Sequence, residues 1–469
     1  MKKLILSILC IICISFSCFS VSVSADEKTK PWPKGPSVFA EAAIVMEAST
    51  GLILYEKNIN NVYYPASITK ILSSLLIIEN SSPGEVVTFS HDAVFKVDLD
   101  SSRIGIDVGE QLTIQQCLYG ILLESANEVT YAAAEHVAGS ISTFVEMMNE
   151  RAKSIGCLNT NFTNPHGLPD DNHYTTAYDM ALITREAMKN ETFRKITSTR
   201  TYQIPPTNKQ KETRYLRNHH KFIVKNDHKF NYEGTIGGKT GYTNKARFTL
   251  VTVAKRGDLE LICVVLKDDT NNHQYEDTTK LLDFGFDNFS IYSINELENH
   301  ETLKESPFFT RYNSILDYSN SLVKTDKKGY LILPNTASFE DAKKEVTFHP
   351  DIQLKEGRNI IGRISYTYDG MYVGGADILF DNIKTPTLAH TSLLINEPAQ
   401  PSSDNEPTLE TSEGSLRPII IGVIVGLFVL IVGLYFIFVE RPRIKRRRAY
   451  LRKRANRRRY YSNDSYLDL

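Results

Sequence analysis

Three short polar motifs hold the residue types that acyl-transfer chemistry needs. The first is Ser67-Ile68-Thr69-Lys70, which follows Tyr64-Pro65-Ala66. On a helix, residues three apart share a face, so Lys70 would fall beside Ser67. A serine hydroxyl is a poor nucleophile without a base. A lysine becomes that base when burial and neighbouring cations lower its pKa. A helix N-terminus adds a dipole that favours developing negative charge by about 0.3–1 kcal/mol. Alone the pattern is a weak signal. The chain repeats it at Ser321-Leu322-Val323-Lys324, where a solvated surface pair is the better reading.

The second motif is Ser125-Ala126-Asn127, in a polar break between two apolar helical runs. By itself it reads as a helix cap or turn. The third is Lys239-Thr240-Gly241, after Gly237-Gly238 and before an apolar strand. Glycines allow close backbone approach of a ligand, and a strand edge can pair with an extended peptide. Its plainer reading is a glycine-rich turn with an exposed lysine.

The elements around these motifs predict an α/β core. Ala42 to Met46 and Gly51 to Tyr55 flank a turn and read as a hairpin. A helix is expected from Ser67 through Ile78. Leu112 to Leu123, Val129 to Val137, Phe144 to Ile155 and Ala177 to Met188 read as further helices. Phe248 to Ala254 and Leu259 to Leu266 read as strands, and Thr278 to Phe286 as a closing helix. A catalytic domain is thus expected over 37–290. Short alternating segments at 330–333, 346–349, 359–366 and 371–379 suggest a small all-β domain over 300–385. Residues 391–416, rich in Ser, Pro, Glu and Thr, read as a flexible stalk.

The ends predict the compartment. Lys2 and Lys3, an apolar stretch and Val23-Ser24-Ala25 make residues 1–25 an expected signal peptide. Ile419 to Val439 carries nothing more polar than Tyr435 and is expected to span a membrane, within 418–439. Residues 440–469 carry twelve Lys/Arg against three Asp/Glu, which marks a cytoplasmic tail. The expected location is therefore a single-pass cell-membrane protein with its catalytic domain on the extracytoplasmic side. Of 469 residues, 42% are hydrophobic and 23% charged, ordinary globular usage. The net charge of −1 speaks against a general nucleic-acid binder. Cys117, Cys157 and Cys263 sit in apolar settings and suggest buried packing rather than a disulfide framework or a metal site.

Taken together, S-x-x-K, S-x-N and K-T-G in this order resemble the penicillin-binding and serine β-lactamase superfamily. The finer resemblance is to the low-molecular-mass D-alanyl-D-alanine carboxypeptidases, serine peptidase family S11. It rests on Ala42-Ala43-Ile44-Val45 with Ala48-Ser49-Thr50-Gly51, on Tyr64 to Lys70, and on Asn164-Pro165-His166-Gly167-Leu168. Thr176-Ala177-Tyr178-Asp179-Met180-Ala181 and Gly238-Lys239-Thr240-Gly241-Tyr242-Thr243 extend it. The resemblance implies a transpeptidase-like fold, helices on an antiparallel sheet, followed by the small β domain. A class A β-lactamase is the nearest rival, but S-D-N and an E-x-x-L-N segment are missing here. Two further rivals are a cross-link D,D-endopeptidase and a catalytically weak wall-binding module.

The resemblance also implies the roles. Ser67 attacks the penultimate D-alanine carbonyl of a peptidoglycan stem peptide ending in D-Ala-D-Ala, and Lys70 takes its proton. Backbone N–H groups of Ser67 and Tyr242 hold the oxyanion. Ser125 and Lys239 relay the proton to the leaving group. Asn127, Lys239, Thr240, Gly241 and Tyr242 bind the substrate. β-Lactams acylate the same serine, and no metal or organic cofactor is needed. Two departures from the family stand out: Arg247 where glycine is common, and a full membrane span where relatives carry an amphipathic helix. Arg247 would crowd the cleft or add a cation to it.

Overall fold

The computed structural model describes residues 31–224, 230–298, 323–349 and 355–382. The expected signal peptide, stalk, membrane span and basic tail lie outside the described residues, as does Ser321. Among the described residues no helix is long and apolar enough to cross a membrane.

Five antiparallel strands form the central sheet. Their spatial order is Ile53–Lys57, Ala42–Glu47, Leu259–Asp268, Arg247–Arg256 and Thr235–Thr243. Early and late segments of the chain meet in it, from Ala42 opposite Leu266 to Glu47 opposite Leu261. Ile44, Met46, Ile262 and Val264 face one apolar cluster, while Ala43, Val45, Leu261 and Cys263 face the other. Burial on both faces explains why these strands read as continuous apolar runs rather than alternating ones.

Helices cover both faces. Lys70–Asn80, Ile114–Leu123, Asn127–Ala138, Ile141–Ile155 and Ala177–Ala187 contribute to the first cluster, and His273–Asn288 to the second. The Lys70–Asn80 helix is buried from Lys70 through Ile77. Isoleucines, leucines and two small serines let it pass through the interior, and its first residue is carried inside with it. Ile114–Leu123 starts on a capping box between Thr113 and Gln116.

A second, six-stranded sheet is ordered Phe289–Ser293, Tyr330–Pro334, Met371–Asn382, Gly357–Tyr368 and Lys343–Phe348, with Val323–Thr325 added against Met371–Asn382. It has its own core, including Leu331, Ile364, Tyr366 and Ile378. It begins straight after the His273–Asn288 helix, because Phe289 pairs with Pro334. Trp32 stacks near Phe289 at 4.9 Å and donates to Leu54 O at 3.4 Å.

The expected elements are present, with three differences. The helix expected from Ser67 opens as a 3-10 turn over Ala66–Thr69 and becomes α-helical at Lys70. Residues three apart share a face in either form, so periodicity could not separate them. The closing helix starts at His273, five residues before Thr278, because its first turn is polar. The K-T-G segment is itself the outermost strand of the central sheet rather than a turn before a strand. Cys117, Cys157 and Cys263 are buried and free, as expected.

Candidate active site

Ser67 sits on a turn under tension. Ala66, just before it, has φ of 54°, a left-handed conformation costly for a residue with a Cβ. The turn is held from two sides. Thr69 Oγ1 donates to Ala66 O at 2.8 Å, and Thr249 Oγ1 donates to Pro65 O at 2.9 Å. Gly167 packs so tightly that an added Cβ would lie 1.9 Å from Ala66 O.

Lys70 follows on the helix and is fully buried. Its Nζ donates to Ser67 Oγ at 3.0 Å, to Asn127 Oδ1 at 2.6 Å and to His166 O at 2.5 Å. Burial, and then the nearby Lys239 charge, hold Lys70 well below the ordinary lysine range; Glu128 opposes them. Burial brings Lys239 down to about 7, against the pull of Glu124. Burial thus disfavours the Lys70 ammonium, which suits this side chain to act as a base.

Ser125 and Asn127 occupy the break between the Ile114–Leu123 and Asn127–Ala138 helices. Ser125 has φ of 61°, another left-handed non-glycine. Its Oγ is buried and has no hydrogen-bond partner among the described residues. Strain and an uncommitted hydroxyl together mark a functional position rather than an ordinary cap.

Lys239, Thr240, Gly241 and Tyr242 lie on the edge strand, opposite Val251, Leu250, Thr249 and Phe248. Lys239 is buried, and its Nζ donates to Thr240 O at 3.0 Å. Gly241 passes against the nucleophile turn: a Cβ there would lie 3.0 Å from Ser67 N and 2.3 Å from Thr249 Oγ1. Tyr242 is half exposed.

Ser67, Ser125, Asn127, Thr240, Gly241 and Tyr242 line one cavity of about 470 Å³. Lys70 and Lys239 stand behind its wall, in contact with the lining residues. All eight candidate residues are thus brought together around one opening. Residues 100–102 form a further part of the wall, as do Asn271, Gln274 and Tyr275. Lys324, of the second S-x-x-K, is exposed on the strand Val323–Thr325.

Several contributors carried no sequence assignment. His166 acts through its backbone carbonyl, and backbone roles leave no side-chain signature. His173 Nε2 meets Thr69 Oγ1 at 2.9 Å, with burial lowering its imidazole to about 4. The 100–102 wall has no motif at all. Arg247 does not line the cavity, contrary to the expectation that it crowds or charges the cleft. Its Nη2 donates to Asp269 O at 3.0 Å, and its φ is 55°. A left-handed backbone explains why glycine is common at this position.

Comparison with known proteins agrees with this geometry. The family model for D-alanyl-D-alanine carboxypeptidases matches residues 27–270. The chain is 36% identical over 261 residues to D-alanyl-D-alanine carboxypeptidase DacF of Bacillus subtilis, a match that covers 54% of this chain and 64% of that one. It is 30% identical over 381 residues to DacA of Haemophilus influenzae, covering 78% of this chain and 89% of that one. Among solved structures, penicillin-binding protein 5 from Haemophilus influenzae superposes with a TM-score of 0.58 at 26% identity, over 75% of this chain and 99% of that one. With its family segment matched and a relative covered along most of its length, the chain belongs to the D-alanyl-D-alanine carboxypeptidases, peptidase family S11.

Proposed function

We propose that this protein is a serine D,D-carboxypeptidase that removes the terminal D-alanine from peptidoglycan stem peptides through a Ser67 acyl-enzyme. The observation that carries the reading is the buried Lys70 Nζ, 3.0 Å from Ser67 Oγ and depressed by its surroundings. Ser67 Oγ attacks the penultimate carbonyl as its proton passes to Lys70. Backbone N–H groups of Ser67 and Tyr242 receive the oxyanion, a contribution worth about 3–4 kcal/mol per donor. The peptide C–N bond breaks as Ser125 with Lys239 relays the proton from Lys70 to the departing amine. Water then attacks the ester, passing a proton to Lys70, which returns it to Ser67 Oγ as the ester C–O bond breaks and the shortened peptide leaves. Asn127 orients the acyl portion. Lys239 and Thr240 hold the terminal carboxylate, with Gly241 and Tyr242 pairing along the peptide.

A β-lactam presents a strained amide beside a carboxylate, so it enters by the same route and stops at the acyl stage. The extracytoplasmic, single-pass location belongs to this proposal. It is supported by the basic start and Ala25 site, the apolar Ile419 to Val439 run and the arginines after it.

The test is release of free D-alanine from a synthetic stem peptide ending in D-Ala-D-Ala. The parent should release it and Ser67→Ala should not. Equal release by both would reject the mechanism.

A further inference from the structure

We propose that Glu128 is a positioning residue of this site: its carboxylate clamps the 98–106 loop onto the helix that carries Asn127, and so holds the cavity wall beside Ser67. The effect on acylation rests on the carboxypeptidase reading; the clamp stands on geometry alone.

Glu128 is fully buried in the first turn of the Asn127–Ala138 helix. Its Oε1 accepts from Ile104 N at 2.7 Å. One residue earlier, Asn127 N donates to Ser102 O at 2.8 Å. Two successive residues, the last of S-x-N and the one after it, thus hold the loop at two points. Arg103 holds it from the other side, donating to Val94 O at 2.8 Å and Val97 O at 3.2 Å. Between these anchors, Asp100, Ser101 and Ser102 share the cavity wall with Ser67. No helix or strand runs between Phe95 and Gln111, so the place of this wall depends on such ties.

Two variants of the full-length chain test the clamp. Glu128→Gln keeps an oxygen for Ile104 N and removes the charge; Glu128→Ala removes both. Amide hydrogen exchange across 98–106 should quicken by about tenfold or more in Glu128→Ala and stay within about twofold in Glu128→Gln. Unchanged exchange in Glu128→Ala would overturn the clamp. Acylation by a fluorescent penicillin should slow by about tenfold in Glu128→Ala and stay within about twofold of the parent in Glu128→Gln. An equal loss in both variants would assign the effect to the charge and overturn the positioning role. A parent chain that takes no penicillin would overturn the carboxypeptidase reading, while exchange still decides the clamp.

Discussion

Lys70 and Lys324 each stand three residues after a serine, in very different surroundings. Lys70 opens a helix buried from Lys70 through Ile77, and its Nζ touches a hydroxyl, an amide oxygen and a backbone carbonyl. Lys324 is exposed on a three-residue strand. Exposure leaves Lys324 to be solvated by water. Reactivity therefore lies in the burial around the pair, and five substitutions probe that difference.

The largest expected effect is at the base. Lys70→Ala should slow penicillin acylation by about a thousandfold or more, whereas Lys324→Ala should stay within about twofold. Stopped-flow acylation rates read both. A comparable loss in the two variants would erase the distinction.

The next effect is on the turn that presents Ser67. Gly167 has φ of 88°, and an added Cβ would meet Ala66 O at 1.9 Å. Gly167→Ala should cost about 3 kcal/mol or more of stability and much of the acylation rate. Thermal unfolding and acylation together check this, and a variant with parental melting and kinetics would show that the turn is not held from this side.

The second buried lysine gives a pH signature. Burial brings Lys239 down to about 7, and in the proposed mechanism it needs its proton to hold the substrate carboxylate. As pH rises through that value the ammonium is lost, so kcat/KM should decline on the alkaline side through a rising KM. Lys239→Arg should move this limb to higher pH, because an arginine keeps its charge. A limb that stays in place in the variant assigns it to another group.

The smallest effect is expected at Arg247. Its φ of 55° favours glycine, but its side chain donates to Asp269 O and it is not among the cavity-lining residues. Arg247→Gly should relieve about 1 kcal/mol or less of strain and leave D-alanine release within about twofold. A large change in kcat/KM would place Arg247 in the cleft after all.

Much of this site was legible because its chemistry uses side chains in fixed short spacings. Ser67 with Lys70, Ser125 with Asn127, and Lys239 through Tyr242 converge on one cavity although they come from a turn, a break between helices and an edge strand. What escaped was carried by backbone and conformation. The His166 carbonyl, the left-handed Ala66 and Ser125, and the 100–102 wall depend on tertiary contacts rather than residue type. Glu128 reads in sequence as an ordinary acid at a helix start, and only its burial singles it out. In the fold, Ala42–Glu47 and Leu259–Asp268 were readable from their apolar runs. The strand Thr235–Thr243 was not, since glycine at Gly237, Gly238 and Gly241 argues against a strand by propensity. Close packing against the Ser67 turn overrides that preference.

The most direct measurement is to find which residue carries the acyl group. The full-length chain would be labelled with penicillin, digested, and the modified peptide sequenced by mass spectrometry. We expect a single adduct on Ser67, lost in Ser67→Ala and kept in Ser321→Ala. An adduct on Ser321, or labelling that survives Ser67→Ala, would contradict the assignment of this site.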